Sequence, residues 1–477
     1  MLSPEKHRCH LAQNNIQNIK GGDKLQQEKY DAVVIGSGVG GLCAGALLSH
    51  WGYRALMVER LGQIGGRWST EEYNGFKLAT GAVMLHYRGT VVEEIFKEVG
   101  AEFEGFEISR IVYRLGGEDW ELPSKGGIAA GIDMINKLVE NKVKVLGGFA
   151  RAIAKEKVTG AMGRVAKGEK AEGTFKDWLL QYTDNPLLHD LFDTMLGDLA
   201  ARHSYEVSAS GAFAFFSRGG AHGICLAPRG NIVNAENLAK VIRANGDVWV
   251  DSPVKSIVVK GKEAKGVIVQ RNGGEVEVSC QVVVSNIGPK ATAELVGEEN
   301  LDEEYLKTIR VRLRPQPITL CYVASDRPIW PETGAPGLLM TTGTRRMSAV
   351  IPMSSFCPEL APPGQHLLFL VGVPETFEVP MIPEVERELL LLDLKEQFPL
   401  FEKHGRILKI THKNIDDELP GERTGTDRMM STETPLSNLY SVGDAVCSPG
   451  YVGTLGSADS SKRVADTVRK RFKPGKS

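Results

Sequence analysis

The stretch VVIGSGVGGLCAG, residues 33–45, constrains the fold of this chain more than any other. The apolar run Tyr30–Ile35 has the length of a strand and leads directly into a cluster of glycines. Three of them, Gly36, Gly38 and Gly41, have the spacing G-x-G-x-x-G. In such a motif the first glycine permits a tight turn, the second leaves room for a pyrophosphate, and the third lets the next helix lie close to the sheet. The stretch therefore predicts a strand, a turn and a helix that together bind a dinucleotide.

The residues after the glycines complete a β-α-β unit. A helix is expected at about Val39–His50, and its N-terminus would present free N–H groups and a positive dipole end to phosphate. The next apolar run, Arg54–Glu59, is also of strand length and ends in an acid. Glu59 stands where the acid of such units hydrogen-bonds the adenosine ribose. This order predicts a Rossmann-like α/β domain, although the glycine motif alone does not distinguish NAD from FAD.

Two further motifs carry a resemblance to a known group of flavoproteins. The sequence GGR at 65–67 follows the ribose acid closely, and NLYSVGDAVCSPGYVGTLGSADSSKRVAD lies near the C-terminus at 438–466. Both are similar to motifs of glutathione-reductase-like flavoproteins in the amine oxidase and phytoene desaturase group. The resemblance implies a resident FAD, with Arg67 near its phosphates and Asp444 on its ribityl or phosphate part. It also implies a helix from about Gly456 whose N-terminus points at the flavin pyrimidine ring.

The order of motifs along the chain resembles the phytoene desaturase-like flavoproteins in particular. TFKDWL, PRGN, VVVSNIGPKAT and GTLGSA follow one another as in that branch, although Asn231 stands where a second glycine is usual. FAD is expected to bind non-covalently, because no cysteine or histidine lies in a motif for a flavin linkage. In the family, backbone groups at the position of Val254 meet the adenine. The cofactor-binding residues that the resemblance implies are Gly36, Gly38, Gly40, Gly41, Glu59, Arg60, Gly66, Arg67, Val254, Gly443, Asp444, Gly453 and Thr454.

A chain of 477 residues is long enough for two domains. Helical and strand patterns interrupt the nucleotide-binding motifs, so the FAD-binding domain is expected to be discontinuous, with an α+β substrate-binding domain inserted into it. Asn272-Gly273 marks a hairpin in a β-meander that returns to the parallel sheet at Val282–Ser285. The predicted boundaries are 1–28 for a polar, mobile arm, 29–107, 228–300 and 413–477 for the FAD-binding domain, and 108–227 and 301–412 for the substrate-binding domain.

Composition excludes several classes of protein and site. The net charge of −2 gives no argument for nucleic-acid binding, and no apolar stretch reaches the roughly 20 residues that span a membrane. The seven cysteines are scattered and no export signal is visible, which predicts reduced thiols in a cytoplasmic protein. The histidines show no metal-ligand spacing, so no metal site is expected. Assembly into a homo-oligomer stays open.

The resemblance implies dehydrogenation of an apolar substrate, an isoprenoid, polyene or alicyclic compound, with hydride passing to flavin N5 and a C=C bond forming. A base is needed where a proton leaves an activated carbon. Candidates are His86, His222 and Tyr451, although each histidine could simply satisfy backbone groups and the tyrosine could simply pack against the ring or substrate. Arg229 matches a recurrent arginine of the family and would hold either a substrate oxygen or a structural salt bridge.

Residues 141–170 form the one local charge anomaly, with eight Lys or Arg against two Glu, a net charge of +6. Val145, Phe149 and Ile153 recur at helical spacing. A basic amphipathic face can lie on an anionic membrane surface, which would suit a lipophilic substrate, whereas the alternative is a solvated lid. The pair Arg345-Arg346 is interpreted most simply as a solvated turn.

Four functions stay open from the sequence. The first is the desaturase or dehydrogenase described above, and the second is an amine oxidase, which would need an aromatic cage beside the flavin. The third is a flavin-dependent isomerase without net oxidation. The fourth, a non-enzymatic binding protein on the same fold, is disfavoured because the nucleotide motifs are intact. The electron acceptor could be oxygen, a quinone or a carrier protein.

Overall fold

A computed structural model of the chain describes residues 26–121, 135–136, 138, 142–159, 173–218, 223–332, 334–413, 422–423 and 429–475. The described strands are, in chain order, β1 Gln26–Lys29, β2 Ala32–Ile35, β3 Ala55–Val58, β4 Thr70–Tyr73, β5 Phe76–Ala79, β6 Leu85–His86, β7 Phe106–Ile108, β8 Ile111–Leu115, β9 Glu118–Glu121, β10 Ile224–Leu226, β11 Asp247–Trp249, β12 Val254–Lys260, β13 Glu263–Arg271, β14 Gly274–Ser279, β15 Val282–Ser285, β16 Arg314–Pro315, β17 Ile318–Ser325, β18 Leu338–Thr341, β19 Met347–Ile351, β20 His366–Gly372, β21 Gly405–Lys413, β22 Glu422–Arg423 and β23 Leu439–Ser441.

The α-helices of the described ranges lie between these strands or after the last of them. They are α1 Val39–His50, α2 Val91–Val99, α3 Lys142–Thr159, α4 Phe175–Leu180, α5 Pro186–Met195, α6 Ala209–Arg218, α7 Ile232–Arg243, α8 Pro289–Val296, α9 Glu303–Arg312, α10 Met353–Phe356, α11 Pro383–Gln397, α12 Phe401–His404 and α13 Gly453–Arg471. A π-helical turn, Leu196–Ala200, continues α5.

A five-stranded parallel sheet forms the centre of the nucleotide-binding half. Its strand order is β11-β3-β2-β15-β23, and every neighbouring pair is parallel. β2, β3 and β15 are buried along their whole length, which explains why they are continuous apolar runs rather than alternating ones. The strands come from widely separated stretches of the chain. The predicted Rossmann-like α/β class, with a discontinuous nucleotide-binding sheet, is confirmed.

Helix α1 packs in the middle of this half and has the predicted bounds. All its residues from Val39 to Ser49 are buried, because the parallel sheet and the helices α7 and α13 all pack against it. A Cβ atom built on Gly41 would lie 2.0 Å from the carbonyl oxygen of Gly36. The third glycine of the motif is therefore required by the close approach of helix and turn, as the spacing predicted.

The predicted meander follows at β12, β13 and β14, which pair antiparallel in order. Asn272 and Gly273 have φ angles of 51° and 81°, which is the left-handed geometry of a tight hairpin turn. β1 adds to the free edge of β14 in a parallel pair. Gln26, Gln27 and Glu28, the last residues of the predicted arm, therefore belong to this sheet.

The second half is built on a seven-stranded mixed sheet of order β21-β17-β20-β19-β18-β8-β9. Helices α3 to α6 pack near one end of it around a cluster of aromatic rings. The rings of this cluster belong to Phe149, Phe175, Trp178, Phe192 and Phe213.

The basic segment contains helix α3, and the structure shows where part of its apolar face lies. Val145 is fully buried, and Phe149 stacks on Phe192 with ring centroids 5.3 Å apart. The face predicted for a membrane surface is thus covered by protein at these two positions. The side chain of Ile153 lies outside the described residues. No helix in the described ranges is both long enough and apolar enough to cross a bilayer.

Candidate functional site

A cavity of about 830 Å³ lies between the two halves of the chain. On one side it meets the carboxyl ends of the parallel strands, at Ile35, Val58 and Val442. On the other side it meets the face of the seven-stranded sheet that carries Leu320 and Phe369. Ligands of doubly wound α/β folds bind at the carboxyl edge of the sheet. The fold therefore places the predicted nucleotide motifs and the inserted domain around one site.

The glycine turn forms the first wall of the cavity. Gly36 has a φ angle of 88°, which only glycine adopts without strain, and it turns the chain out of β2. Helix α1 begins after Gly38 with no side-chain cap and no acidic residue in its first turn. Its first N–H groups are therefore available to an anion at the cavity wall, as a phosphate would require.

Asn286, which the sequence analysis did not single out, packs against this turn from the end of β15. A Cβ atom on Gly38 would lie 2.8 Å from Asn286 Nδ2, and one on Gly40 would lie 2.3 Å from Asn286 Oδ1. A Cβ atom on Gly443 would lie 3.5 Å from the same oxygen. The amide thus fills the space left by three glycines and reaches the cavity wall. Its position directly after a buried parallel strand is the signal that could have identified it.

Glu59 lies at the end of β3 and lines the cavity. Its Oε2 accepts hydrogen bonds from the backbone N–H and the hydroxyl of Ser37, at 2.8 and 2.6 Å. Its Oε1 accepts one from the backbone N–H of Leu61 at 3.0 Å. These donors fix the carboxylate beside the glycine turn, where it is only 7% exposed. A carboxylate held in this way can still accept from a ribose hydroxyl, because each oxygen has further acceptor capacity.

Two predicted cofactor residues from opposite ends of the chain form an ion pair. Arg67 Nη2 lies 3.2 Å from Asp444 Oδ1, and both residues line the cavity. Asp444 is almost fully buried, whereas Arg67 is about one-third exposed. The pair joins the GGR turn to the C-terminal glycine-rich loop. Neither motif alone predicts this contact.

The C-terminal helix differs from its prediction in where it starts. α13 begins at Gly453 and not at about Gly456, so Gly453 and Thr454 belong to its first turn. The expected start was wrong because Gly453 was interpreted as part of the loop. The helix has no side-chain cap and no acidic residue in its first turn, and that turn lines the cavity. Its N-terminus therefore supplies a second set of N–H groups at the site.

The residues present fit a flavin dinucleotide. A third uncapped helix N-terminus, that of α8, reaches the cavity at Lys290 and Ala291. The indole Nε1 of Trp68 is buried and has no hydrogen-bond partner within the described residues, and Trp68 lines the cavity. A ligand that carries phosphates and ring acceptors would satisfy both features. Uncapped backbone N–H groups and a buried indole N–H destabilise the folded state unless a partner accepts their hydrogen bonds.

Of the predicted cofactor residues, those that line the cavity are Gly36, Gly38, Glu59, Arg60, Gly66, Arg67, Val254, Gly443, Asp444, Gly453 and Thr454. Gly40 and Gly41 lie behind them, where they let α1 approach its neighbours. The structure therefore brings together motifs that the sequence separates by several hundred residues.

The part of the cavity against the seven-stranded sheet is mostly apolar. Ile318, Leu320, Phe369 and Val371 line it from β17 and β20, with Met84 and Leu199 nearby. Its polar side chains come from His86, Asp198, Gln316 and Lys413. Asp198 and Gln316 come from loops and helices of the inserted domain, and no local sequence motif marks them. Sequence reasoning could not have found them.

The predicted catalytic residues do not all lie at the cavity. His86, on β6, lines the cavity. His222 lies outside the described residues. Tyr451 does not line the cavity and packs against the hydrophobic core around α1, where burial raises the pKa of its hydroxyl. Arg229 forms an ion pair with Glu104 at the surface, with Nε 3.0 Å from Oε2, so the structure shows the salt bridge.

Comparisons with known proteins agree with this geometry. A sequence model of the family described as flavin containing amine oxidoreductase matches residues 39–469. An inactive all-trans-retinol 13,14-reductase of Danio rerio is 25% identical over 344 residues, which cover 60% of this chain and 54% of that protein. The chain thus spans about half the length of that relative. A 4,4'-diapophytoene desaturase (4,4'-diapolycopene-forming) of Methylomonas sp is 40% identical over 65 residues, which cover 14% of this chain and 12% of that protein.

A solved structure is similar over the whole fold. The crystal structure of an oxidoreductase from Methanosarcina mazei superposes with a TM-score of 0.75 at 27% sequence identity. The match covers 92% of this chain and 100% of that one. The arrangement of nucleotide-binding sheet and inserted domain is therefore shared with a known oxidoreductase.

Proposed function

The chain belongs to the family of flavin-containing amine oxidoreductases, and from this premise we propose that it is an FAD-dependent dehydrogenase or desaturase. FAD binds non-covalently, and the reaction introduces a C=C bond into an apolar substrate of the isoprenoid, polyene or alicyclic class. The short but close similarity to a diapophytoene desaturase supports this branch of the family.

The observation that carries the proposal is the composition of the cavity. One continuous space joins the predicted nucleotide-binding turns to a wall of apolar side chains from β17 and β20. A cofactor bound along Gly36, Glu59 and Asp444 would extend toward this wall. Such a wall binds hydrocarbon by excluding water from it. An apolar molecule would therefore lie where a flavin ring can accept its hydride.

The amine oxidase is the second candidate, and two observations bear on it. Among the described lining residues, the aromatic rings are those of Trp68 and Phe369, and Trp68 belongs to the GGRW turn on the nucleotide side. These positions do not form two facing rings beside a substrate. The buried carboxyl group of Asp198, in contrast, would suit an ammonium group. Amines therefore belong in the substrate test.

The chain's own residues have distinct tasks in the proposed reaction. When bound, FAD supplies the two-electron acceptor. The N-terminus of α13 at Gly453 favours negative charge on the reduced cofactor through its dipole. Leu320 and Phe369 hold the hydrocarbon and exclude water from the reacting carbons. The ion pair between Arg67 and Asp444 joins the GGR turn to the C-terminal glycine-rich loop.

The test mixes the purified yellow holoprotein, under anaerobic conditions, with polyenes, cyclic ketones, alicyclic acids and amines. We expect an apolar compound with adjacent C–H bonds to bleach the flavin absorbance and to yield a product with one more C=C bond. Bleaching by amines alone would replace the proposal with an amine oxidase. A product isomerised without bleaching would indicate an isomerase.

The Danio rerio relative bears the word inactive in its name, so the test must also detect a protein that binds without reacting. Holoprotein that keeps its flavin oxidised and its substrates unchanged throughout would overturn the proposed activity. Once a reductant is found, reoxidation by oxygen, a soluble quinone or an electron-carrier protein identifies the acceptor.

A further inference from the structure

Asp198 occupies an unusual position in the apolar part of the cavity. It lies in the π-helical turn Leu196–Ala200, and it and its neighbour Leu199 both line the cavity. The backbone N–H of Ala201 donates to the carbonyl of Leu196, five residues back. Turns of this kind are rare and are frequently found at functional sites. Here the turn places a carboxyl group among aliphatic side chains.

The carboxyl group is only partly satisfied. Ser348, on β19, donates its hydroxyl to Asp198 Oδ1 at 3.0 Å. The Oδ2 atom is shielded from solvent and has no hydrogen-bond partner in the described part of the chain. A buried polar atom without a partner is uncommon in proteins and calls for an explanation such as a catalytic role. Because the χ2 torsion of aspartate is broad, a small rotation can present Oδ2 to a molecule in the cavity.

Burial makes the Asp198 carboxyl group more basic than an exposed one. Burial raises the pKa of Asp198 to about 6, although the Ser348 hydrogen bond acts in the opposite direction. The titratable group that faces it from β8 is Tyr113, whose pKa is itself raised by burial and by the charge of Asp198. His86 and Lys413 line the same cavity, and His203 lies near the backbone of Gly197 in the same turn. At pH 7 to 8 the carboxyl group is ionised and can accept a proton.

We propose that the Asp198 carboxylate is the base of the reaction, oriented by Ser348, an inference that rests on the proposed dehydrogenation. One C–H bond breaks with its electron pair, which passes as hydride to N5 of the bound FAD, the oxidant. The C–H bond on the adjacent carbon breaks, its electrons form the new C=C bond, and its proton goes to Asp198. The substrate loses two hydrogens, the flavin gains two electrons, and the carboxyl group later releases its proton to solvent.

The test compares Asp198→Asn with the wild type and with Asp190→Asn, an exposed aspartate on α5 that does not line the cavity. FAD content and thermal midpoint show that each variant folds, and D198N is expected to be at least as stable, because it removes a buried ionisable group. With a compound that bleaches the wild type, we expect D198N to bleach roughly 10²–10⁴-fold more slowly, as for loss of a general base. D190N should stay within about twofold of the wild type.

Two further readouts separate a base from a merely structural residue. The wild-type and D190N bleaching rates should rise with pH through an apparent pKa of about 6, and the D198N rate should be flat across this range. Carboxyl ¹³C spectra of aspartate-labelled holoprotein, recorded without any substrate, should show one resonance that titrates near this pH and is missing from D198N. A resonance of Asp198 that titrates at the ordinary value would overturn the proposal.

The possible failures are distinguishable. If no compound bleaches the wild type, the proposed function fails, and the base fails with it. If the wild type is bleached and D198N is bleached equally fast, the base is wrong and the function stands. If His86→Gln abolishes bleaching while D198N keeps it, the proton goes to the histidine, and Asp198 is excluded.

Discussion

At the scale of single residues, the amide of Asn286 connects turns of the cofactor site that lie far apart in sequence. A Cβ atom at Gly38 or Gly40 would clash with this amide, and one at Gly443 would lie in ordinary contact with it. The three glycines and the asparagine therefore form one packing unit. A loss of the amide would loosen both the first turn and the C-terminal loop.

We predict that Asn286→Ala weakens FAD binding by about 0.5–1.5 kcal/mol, the typical net contribution of one hydrogen bond, or about twofold to twelvefold in Kd. Asn286→Asp should weaken it more, because a carboxylate would repel the cofactor phosphates. FAD fluorescence on dilution measures the Kd, and Asn300→Ala, an exposed asparagine outside the cavity, is the control. An unchanged Kd in both Asn286 variants would contradict the prediction and show that the amide does not contribute to FAD binding.

Two hydrogen-bond acceptors influence the protonation of the His203 imidazole ring. Its Nδ1 lies 2.8 Å from Asp193 Oδ2 and its Nε2 lies 2.7 Å from the carbonyl oxygen of Pro374. A carbonyl and an ionised carboxylate can only accept, so this arrangement favours the charged ring, in which both nitrogens donate. Burial opposes this charge, but the two acceptors outweigh it and raise the pKa of His203. The same contact contributes to a lowered pKa of Asp193.

The sign of the resulting pH dependence follows from linkage. A raised histidine pKa contributes stability that is complete below the unfolded value of about 6.5 and is lost as pH rises through the folded value. We therefore predict that His203→Gln lowers the thermal midpoint at pH 6 and that its difference from the wild type shrinks toward pH 9. Thermal unfolding at constant FAD concentration measures this. A difference that stays constant with pH would mean a neutral ring.

At the scale of elements, helix α11 is held to the seven-stranded sheet by an ion-pair network. Asp393, on α11, is 1% exposed and accepts hydrogen bonds from the backbone N–H groups of Arg345, Arg346 and Met347. Arg345 also donates its Nη1 to Asp393 at 3.0 Å. The interpretation of Arg345-Arg346 as a solvated turn holds for Arg345, whose side chain is 42% exposed, but not for Arg346, which is only 11% exposed. A buried carboxylate on another element organises the turn. Nothing in the local sequence marks this partner.

We predict that Asp393→Ala lowers the free energy of unfolding by about 3 kcal/mol, the lower end for breaking a buried ion pair, because Arg345 is partly screened by solvent. The matched control is Glu396→Ala, which removes the exposed partner of Arg345 and should lower the free energy of unfolding much less, because solvent screens that pair. Urea unfolding of the holoprotein compares the two. If both variants lost the same free energy of unfolding, the exposed pair of Arg345 with Glu396, and not the buried carboxylate, would account for the stability.

At the scale of the whole molecule, the cofactor site joins strands and helices from most of the chain. Gly36, Val254, Leu320 and Asp444 line the same cavity, so a ligand that fills it contacts both halves. Binding to the folded state alone stabilises it by mass action. Cofactor binding and global stability are therefore expected to rise together.

We predict that free FAD at about 100 times its Kd adds about 2.7 kcal/mol to the unfolding free energy, following mass action. FMN should add much less, because it lacks the adenylate part that would meet Glu59 and Val254. Thermal shift measurements over a range of FAD, FMN and NADPH concentrations test this. Stabilisation by NADPH without any by FAD would contradict the cofactor assignment.

The amino-acid sequence by itself determined the local units of this protein. The strand, glycine turn and helix at 30–50, the hairpin at Asn272-Gly273 and the return strand at Val282–Ser285 were all predictable. Each depends on backbone requirements that the residue types express directly: positive φ, the absence of a Cβ atom and continuous burial. The family resemblance rested on the same local motifs and was confirmed by the family match.

The tertiary structure alone decided which residues meet at the site. Arg67 and Asp444 pair across 377 positions of sequence, Asn286 fills the space between two glycine loops, and Asp198 reaches the cavity through a π turn. It also placed Arg229 in a surface ion pair and moved the start of α13 to Gly453. The physical reason is that a contact between distant segments depends on how whole elements pack, whereas a turn or a strand depends on a few adjacent residues.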